Sequence, residues 1–286
     1  MKRDVLNAPR LNELKRRRRR GVVNKILILL LGLSAIFALL TYLSRLEKLN
    51  ISEVEISGNK VIDTEIIKSE IEKQISGKYF WLFPKTNILF YPQKTIRQEL
   101  QAKFSRLKEI NLSIKDNKIL EVNLIERTPS YTWCGTTKLE SNSNNSPKCY
   151  FMDSEGYIFD EAPYFSSGVY FRFYGSAEIN TYFLENKFKD IISLKNEIET
   201  FELNPQAFQL NDKGIGEFSL SPGSYWTPTI IFNLDSDFAK IAENLHTALL
   251  TEPLKSKIKN NYSSLLYIDL RFDNKVYYKF SNPSGN

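Results

Sequence analysis

The sequence predicts an α+β protein: a single N-terminal transmembrane helix, a βααββ domain, then a mixed β-sheet domain with flanking helices. Three observations predict it. An apolar run of 18 residues, Ile26–Leu43, contains no charge. Between Ile51 and Leu124 the apolar spacing passes from two to four and back to two. After Pro129 short apolar runs bounded by turn residues read as strands, and two helical stripes interrupt them. The expected divisions are a basic tail over 1–25, the membrane helix over 26–44, the βααββ domain over 49–127, the β domain over 128–281 and a disordered tail over 282–286.

The apolar run comes first. As a helix its residues span about 27 Å, close to the hydrocarbon thickness of a bilayer. Twelve of the 18 are Leu, Ile or Phe. At roughly 0.3–0.6 kcal/mol each they favour insertion by several kcal/mol. A buried core helix would carry a polar stripe, and this run carries none. A cleaved signal peptide would end in small residues, whereas this run ends in Thr41-Tyr42-Leu43-Ser44-Arg45. An uncleaved single-pass anchor is therefore expected.

Residues 1–25 hold ten Lys or Arg and two acids, a net charge of +8. Basic flanks stay on the cytoplasmic side, so the N-terminus is expected inside and the bulk outside. The rest of the chain holds 29 of the 39 bases and 31 of the 33 acids, a net −2, so the pI near 9.0 belongs to the tail. The Arg16–Arg20 run suits anionic lipid headgroups. It has no interleaved aromatic residues to stack bases, and no nucleic-acid partner is expected.

In the first outer domain, Ile51–Ser57 alternates as a strand with Val54 and Ile56 inward, and Gly58-Asn59 is a turn. Asp63 is placed to cap a helix carrying Ile67, Ile71 and Ile75 at i, i+4 and i+8, ending near Gly77. Tyr79–Phe83 reads as an apolar loop. Pro92 opens a second helix with Ile96, Leu100 and Phe104 on one face. Two strands follow, marked by Ile110, Leu112, Ile114 and by Leu120, Val122, Leu124, with Asp116-Asn117 as the hairpin turn.

In the second domain, strands are expected at Ser130–Cys134 and Cys149–Asp153, separated by a polar loop containing Glu140–Lys148. Ser154-Glu155-Gly156 turns the chain into Tyr157–Phe159. Further strands are expected at Val169–Tyr174, Phe208–Asn211, Gly216–Ser221 and Thr229–Leu234, with a turn at Pro222-Gly223. A helix lies within Glu185–Thr200, marked by Phe188, Ile191, Ile192 and Ile198. Ser236 is expected to cap another, with Ile241, Leu245 and Leu249 on its face. Leu265–Phe272 and Lys275–Phe280 close as a hairpin around Asp273-Asn274.

Cys134 and Cys149 flank the polar loop on the oxidising side of the expected topology. A hairpin would place them opposite one another, and the expectation is a disulfide; two buried thiols are the alternative. No metal site is expected, because there is no C-x-x-C and His246 is the single histidine.

The βααββ unit resembles a POTRA domain. Its entry, Val54-Glu55-Ile56-Ser57-Gly58-Asn59, and its exit, Glu126-Arg127-Thr128-Pro129, are similar to the POTRA edges of the FtsQ/DivIB cell-division family. So are the strand, Asp153-x-x-Gly156, strand pattern and the close Tyr267-Ile268-Asp269-Leu270-Arg271-Phe272. The Cys134–Cys149 loop is longer than the usual hairpin there, and Tyr79–Phe83 is unusually aromatic. The resemblance implies a divisome component with FtsB- and FtsL-like bitopic partners and a link to the septal peptidoglycan synthase complex.

Residue chemistry points away from an enzyme. His246 sits mid-helix without a nucleophile motif, and no phosphate-binding G-x-x-x-x-G-K occurs. Asp269 and Arg271 share a strand face and read as a local ion pair; Glu126-Arg127 reads as an interdomain salt bridge. No cofactor and no small-molecule substrate are expected. The alternatives are a POTRA-bearing envelope transport or secretion component, and a membrane-anchored cell-wall hydrolase. The expected binding element is the strand Lys275–Phe280, read as an open sheet edge that a partner extends. The resemblance points to Phe272, Asn274 and Lys275, with Val276, Tyr277, Tyr278 and Phe280 supplying contacts along the strand.

Overall fold

The computed structural model describes residues 9–136, 148–165, 168–222 and 226–281, with the side chains of 9–14 left out. The expected disordered tail 282–286, nearly all of the loop Glu140–Lys148 and Gly223 of the expected turn lie outside the described residues. The chain divides into two compact units, Met1–Glu126 and Arg127–Asn286.

The first unit begins with helix α1, Pro9–Ser44. The basic residues from Arg10 onward and the apolar run belong to this one helix, with no break at Lys25. Then come β1 Glu53–Ser57, α2 Thr64–Ile75, β2 Lys78–Tyr79, β3 Phe83–Pro84, α3 Gln93–Lys103, β4 Leu107–Lys115 and β5 Ile119–Glu126. The Asp63 carboxylate accepts from the amides of Glu65 and Ile66, and so caps α2. Ile67, Ile71 and Ile75 pack with Ile96 and Leu100 of α3 over Val54, Leu120 and Val122. The sheet order is β1-β5-β4, with β1 parallel to β5 and β5 antiparallel to β4. A parallel pair needs a long crossover, and the two helices supply it. Asp116 and Asn117 have φ of 52° and 56°, as a two-residue I′ turn requires. Gly58 has φ of 88°, and a Cβ there would stand 2.0 Å from the carbonyl oxygen of Leu124. Only glycine fits that close approach.

The second unit contains one nine-stranded sheet, ordered β14-β13-β12-β11-β10-β9-β6-β7-β8. Its elements are β6 Tyr131–Trp133, β7 Cys149–Met152, β8 Ile158–Ala162, β9 Arg172–Tyr174, α4 Phe188–Thr200, β10 Pro205–Leu210, β11 Ile215–Leu220, β12 Thr229–Asn233, α5 Phe238–Leu250, α6 Leu254–Asn261, β13 Leu265–Phe272 and β14 Lys275–Phe280. Helices α4 and α5 bury Ile191, Leu194, Ile198, Ile241, Leu245 and Leu249 in one core with Phe173, Phe208, Phe218 and Phe232 of the sheet. Beneath the β7–β8 turn, Arg127 donates to Asp153 Oδ2, with both side chains buried, and its guanidinium lies 3.6 Å from the centre of the Tyr157 ring. Asp153 Oδ1 accepts from the amides of Glu155 and Tyr157.

Several expectations are corrected. Glu126 and Arg127, expected to pair across the junction, each take a partner inside their own unit. Glu126 accepts from the amides of Lys60, Val61 and Ile62 in its own unit, and Arg127 takes Asp153 in the other. Tyr79–Phe83 is a small antiparallel hairpin, with Tyr79 opposite Phe83. The strand expected at Val169–Tyr174 shortens to Arg172–Tyr174. Asp237 caps α5 instead of Ser236: its carboxylate accepts from Ala239 and Lys240, while the Ser236 amide closes a turn onto Asn233. Helix α6 carries only two apolar residues, Leu254 and Ile258, too few to mark a helical stripe in the sequence.

Candidate partner-binding edge

Strand β14 is the last strand of the nine-stranded sheet, and among the described residues no strand pairs with its far side. The opposite edge is partly covered. Next to β8, the Ile158 amide donates to Thr181 O, and the Asn180 amide donates to Ile158 O. An open edge presents main-chain donors and acceptors to any extended segment.

The pleat decides what each residue of β14 offers. Both irregularities in the β13–β14 register place the extra residue in β13, so β14 keeps a strict alternation. Lys275, Tyr277 and Lys279 are exposed; Val276, Tyr278 and Phe280 are half-buried against the helix-covered core. Lys257 of α6 closes over the inner pair, its ammonium 5.8 Å from the Tyr278 and Phe280 ring centres. The Ser281 amide donates to Ser264 O on the β13 side. Counting back by twos, the amides of Lys279, Tyr277 and Lys275 turn toward β13. Those of Val276, Tyr278 and Phe280 turn outward to the open edge.

The seven sequence-predicted residues are therefore divided. Phe272 and Tyr277 come together, their rings in an edge-on pair at 5.0 Å, and both are about half exposed. Lys275 stands opposite Phe272 in the hairpin. Asn274 is in the exposed turn, which Asn244 of α5 steadies by donating to Asp273 O at 2.6 Å. Val276, Tyr278 and Phe280 do not join this face; their side chains belong to the core, and their contribution to the edge is main-chain. A run of four apolar or aromatic residues among six hides this division until the pleat is imposed.

Asp269 and Arg271 form the floor beside Tyr277, which pairs with Asp269 across the hairpin. Arg271 Nε and Nη2 meet the two oxygens of Asp269 at 2.9 and 2.6 Å, and the Arg271 amide adds a third bond. Burial pushes the Asp269 carboxyl up, but the hydrogen bonds and charge of Arg271 outweigh it and hold the group below its ordinary value. Sequence reasoning anticipated the pair but not its place under the exposed aromatic face.

Cys134 and Cys149 are joined by a disulfide. The β6–β7 register, with Trp133 opposite Tyr150, continues to this pair and aligns them. His246 lies on α5 with its Nδ1 3.3 Å from Glu197 and its ring against Phe201. Among the described residues, no group of three or more His, Cys, Asp or Glu is placed to hold a metal ion. Comparison with protein-family models finds no match, and neither does comparison with curated proteins.

Proposed function

We propose that this chain is a non-enzymatic, single-pass scaffold of the bacterial divisome, of the FtsQ/DivIB type. It joins early division proteins to the septal peptidoglycan synthesis complex through FtsB- and FtsL-like partners. The observation that carries the reading is the β14 edge: outward main-chain groups beside an exposed Phe272–Tyr277 pair, with Lys275 and Lys279 on the same side. A partner strand laid there gains main-chain hydrogen bonds for affinity and an aromatic ledge for specificity, and the lysines favour an acidic segment.

Further support comes from the other parts of the chain. Helix α1 contains a stretch from Lys15 to Ser44 that is long and apolar enough to cross a membrane. With basic residues at its N-terminal end, the cytoplasmic side takes the N-terminus, and both folded units lie outside. The βααββ order of the first unit fits a POTRA domain, with Gly58 and Glu126 making the tight approach and the amide clasp that join its entry and exit.

The test pairs a cellular and a binding readout. Depleting the protein should produce filamentous, undivided cells. In nanodiscs, the full chain carrying Phe272→Ala or Val276→Pro should bind the soluble part of an FtsB-like partner more weakly. The proline removes an outward donor and leaves the inward bonds to β13 in place. Wild-type affinity in Val276→Pro, with an unchanged circular dichroism spectrum, would refute the edge; normal septation after depletion would refute the function.

A further inference from the structure

The hairpin formed by β2 and β3 carries two neighbouring aromatic residues at its tip, Phe80 and Trp81, exposed by 87% and 90%. Both have positive φ, 48° and 61°. That region is unfavourable for bulky side chains, so the backbone here holds two large apolar groups away from the unit's own core. Burial in water-soluble protein does not account for such a display.

The place of the hairpin does. Phe83 of β3 packs edge-on against Phe37 of α1, ring centres 5.6 Å apart. Arg45 donates through Nε to Leu82 O at 3.4 Å, and the buried Asn87 donates to Ser44 O at 3.0 Å. Phe37 lies seven residues before the end of α1, about 10 Å along its axis. The hairpin thus runs beside the last two turns of the apolar stretch, not above them. Phe90 extends the same surface, 6.4 Å from Phe83 and exposed. Lys85 stands by Tyr79 at the base of the hairpin, its ammonium 5.8 Å from the ring centre.

We propose that Phe80 and Trp81 insert into the headgroup–acyl boundary of the outer leaflet and give the first unit a second attachment to the membrane. This rests on reading α1 as a membrane span. The occupant is lipid because the patch is continuous with the lipid-facing surface of α1 at the depth where that helix leaves the hydrocarbon. An indole such as Trp81, an apolar ring with one N–H donor, is a side chain that such an interface favours, and Phe80 adds apolar area beside it. The hairpin then fixes the tilt and rotation of the unit that α1 alone would leave free.

The full chain is reconstituted into vesicles of phosphatidylcholine and phosphatidylglycerol, with bromine atoms placed either near the headgroup end of the acyl chains or near their ends. The Trp81 signal is the difference between wild type and Trp81→Phe spectra. Insertion is expected to shift this component to shorter wavelength, to shield it from aqueous iodide, and to quench most of it with the shallow bromines but little with the deep ones. A component emitting as in water and quenched by iodide overturns the proposal. So does one shielded from both iodide and bromine, which would place a protein partner on the hairpin. Alkaline carbonate extraction reads the anchor separately. A chain that is extracted refutes the spanning helix itself; a retained chain with a water-exposed Trp81 refutes only the hairpin.

Discussion

Replacing Arg127 by Met should destabilise the second unit far more than a surface substitution would. The Arg127 and Asp153 side chains are only 8% and 6% exposed, and they are each other's charge partner. Removing the guanidinium leaves a buried carboxylate with two backbone amides but no counter-charge. Losing one partner of a buried pair costs about 3–5 kcal/mol. With a urea dependence of about 2 kcal/mol per molar, the unfolding midpoint falls by about 1.5–2.5 M. Asp153→Asn should fall by a similar amount: its amide oxygen still accepts from the turn, but Arg127 is left charged and unpaired. The double variant Arg127→Met with Asp153→Asn removes both charges and should recover a large part of the loss. The assay is urea unfolding of the full chain in detergent, followed by the fluorescence of Trp133, which is buried in the same unit. Exposed Trp81 and Trp226 are changed to Phe so that Trp133 alone reports. Single variants that shift the midpoint by less than about 0.5 M, or a double variant whose loss equals the sum of the singles, would refute the buried pair as an energetic unit.

Three further outcomes are expected. Tyr277→Pro should disrupt the β13–β14 hairpin and lower the unfolding midpoint, whereas Val276→Pro should leave it close to wild type, because only the Tyr277 amide faces β13; equal losses would reverse the assignment of amide directions. Asp269, held below its ordinary value of 3.8, contributes stability that is present above that value and lost as pH falls through its lower folded-state pKa. Between pH 6 and pH 3 the midpoint of the wild type should therefore fall more steeply than that of Asp269→Asn, and parallel curves would exclude this coupling. Reducing the Cys134–Cys149 bridge, which closes 15 residues, should cost about 3 kcal/mol, read as a loss of urea midpoint with and without a reductant, and should leave partner binding at the β14 edge intact.

Local features were legible in the sequence wherever a short-range signal carried them. Asp63, the Ile67–Ile75 stripe, the Asp116-Asn117 turn and the final hairpin are set by residues within a few positions of each other, through capping, period and turn chemistry. The apolar stretch of α1 is legible for the same reason, because length and hydropathy alone decide what a helix can cross. The fold class followed from those periods. Chain proximity did not reveal which partners distant groups would choose. Glu126 and Arg127 are neighbours in sequence but take partners in different units, Lys60–Ile62 and Asp153. The division of β14 into an outward face with Tyr277 and an inward face with Val276, Tyr278 and Phe280 depended on register against β13 and on the helices that cover one side. The Tyr79–Phe83 segment read as an apolar loop; its pairing as a hairpin, with Phe83 against Phe37 of α1 and Arg45 on the Leu82 carbonyl, is visible only in the structure. These are tertiary decisions: they depend on which surfaces are already covered, and no local pattern of residues encodes that.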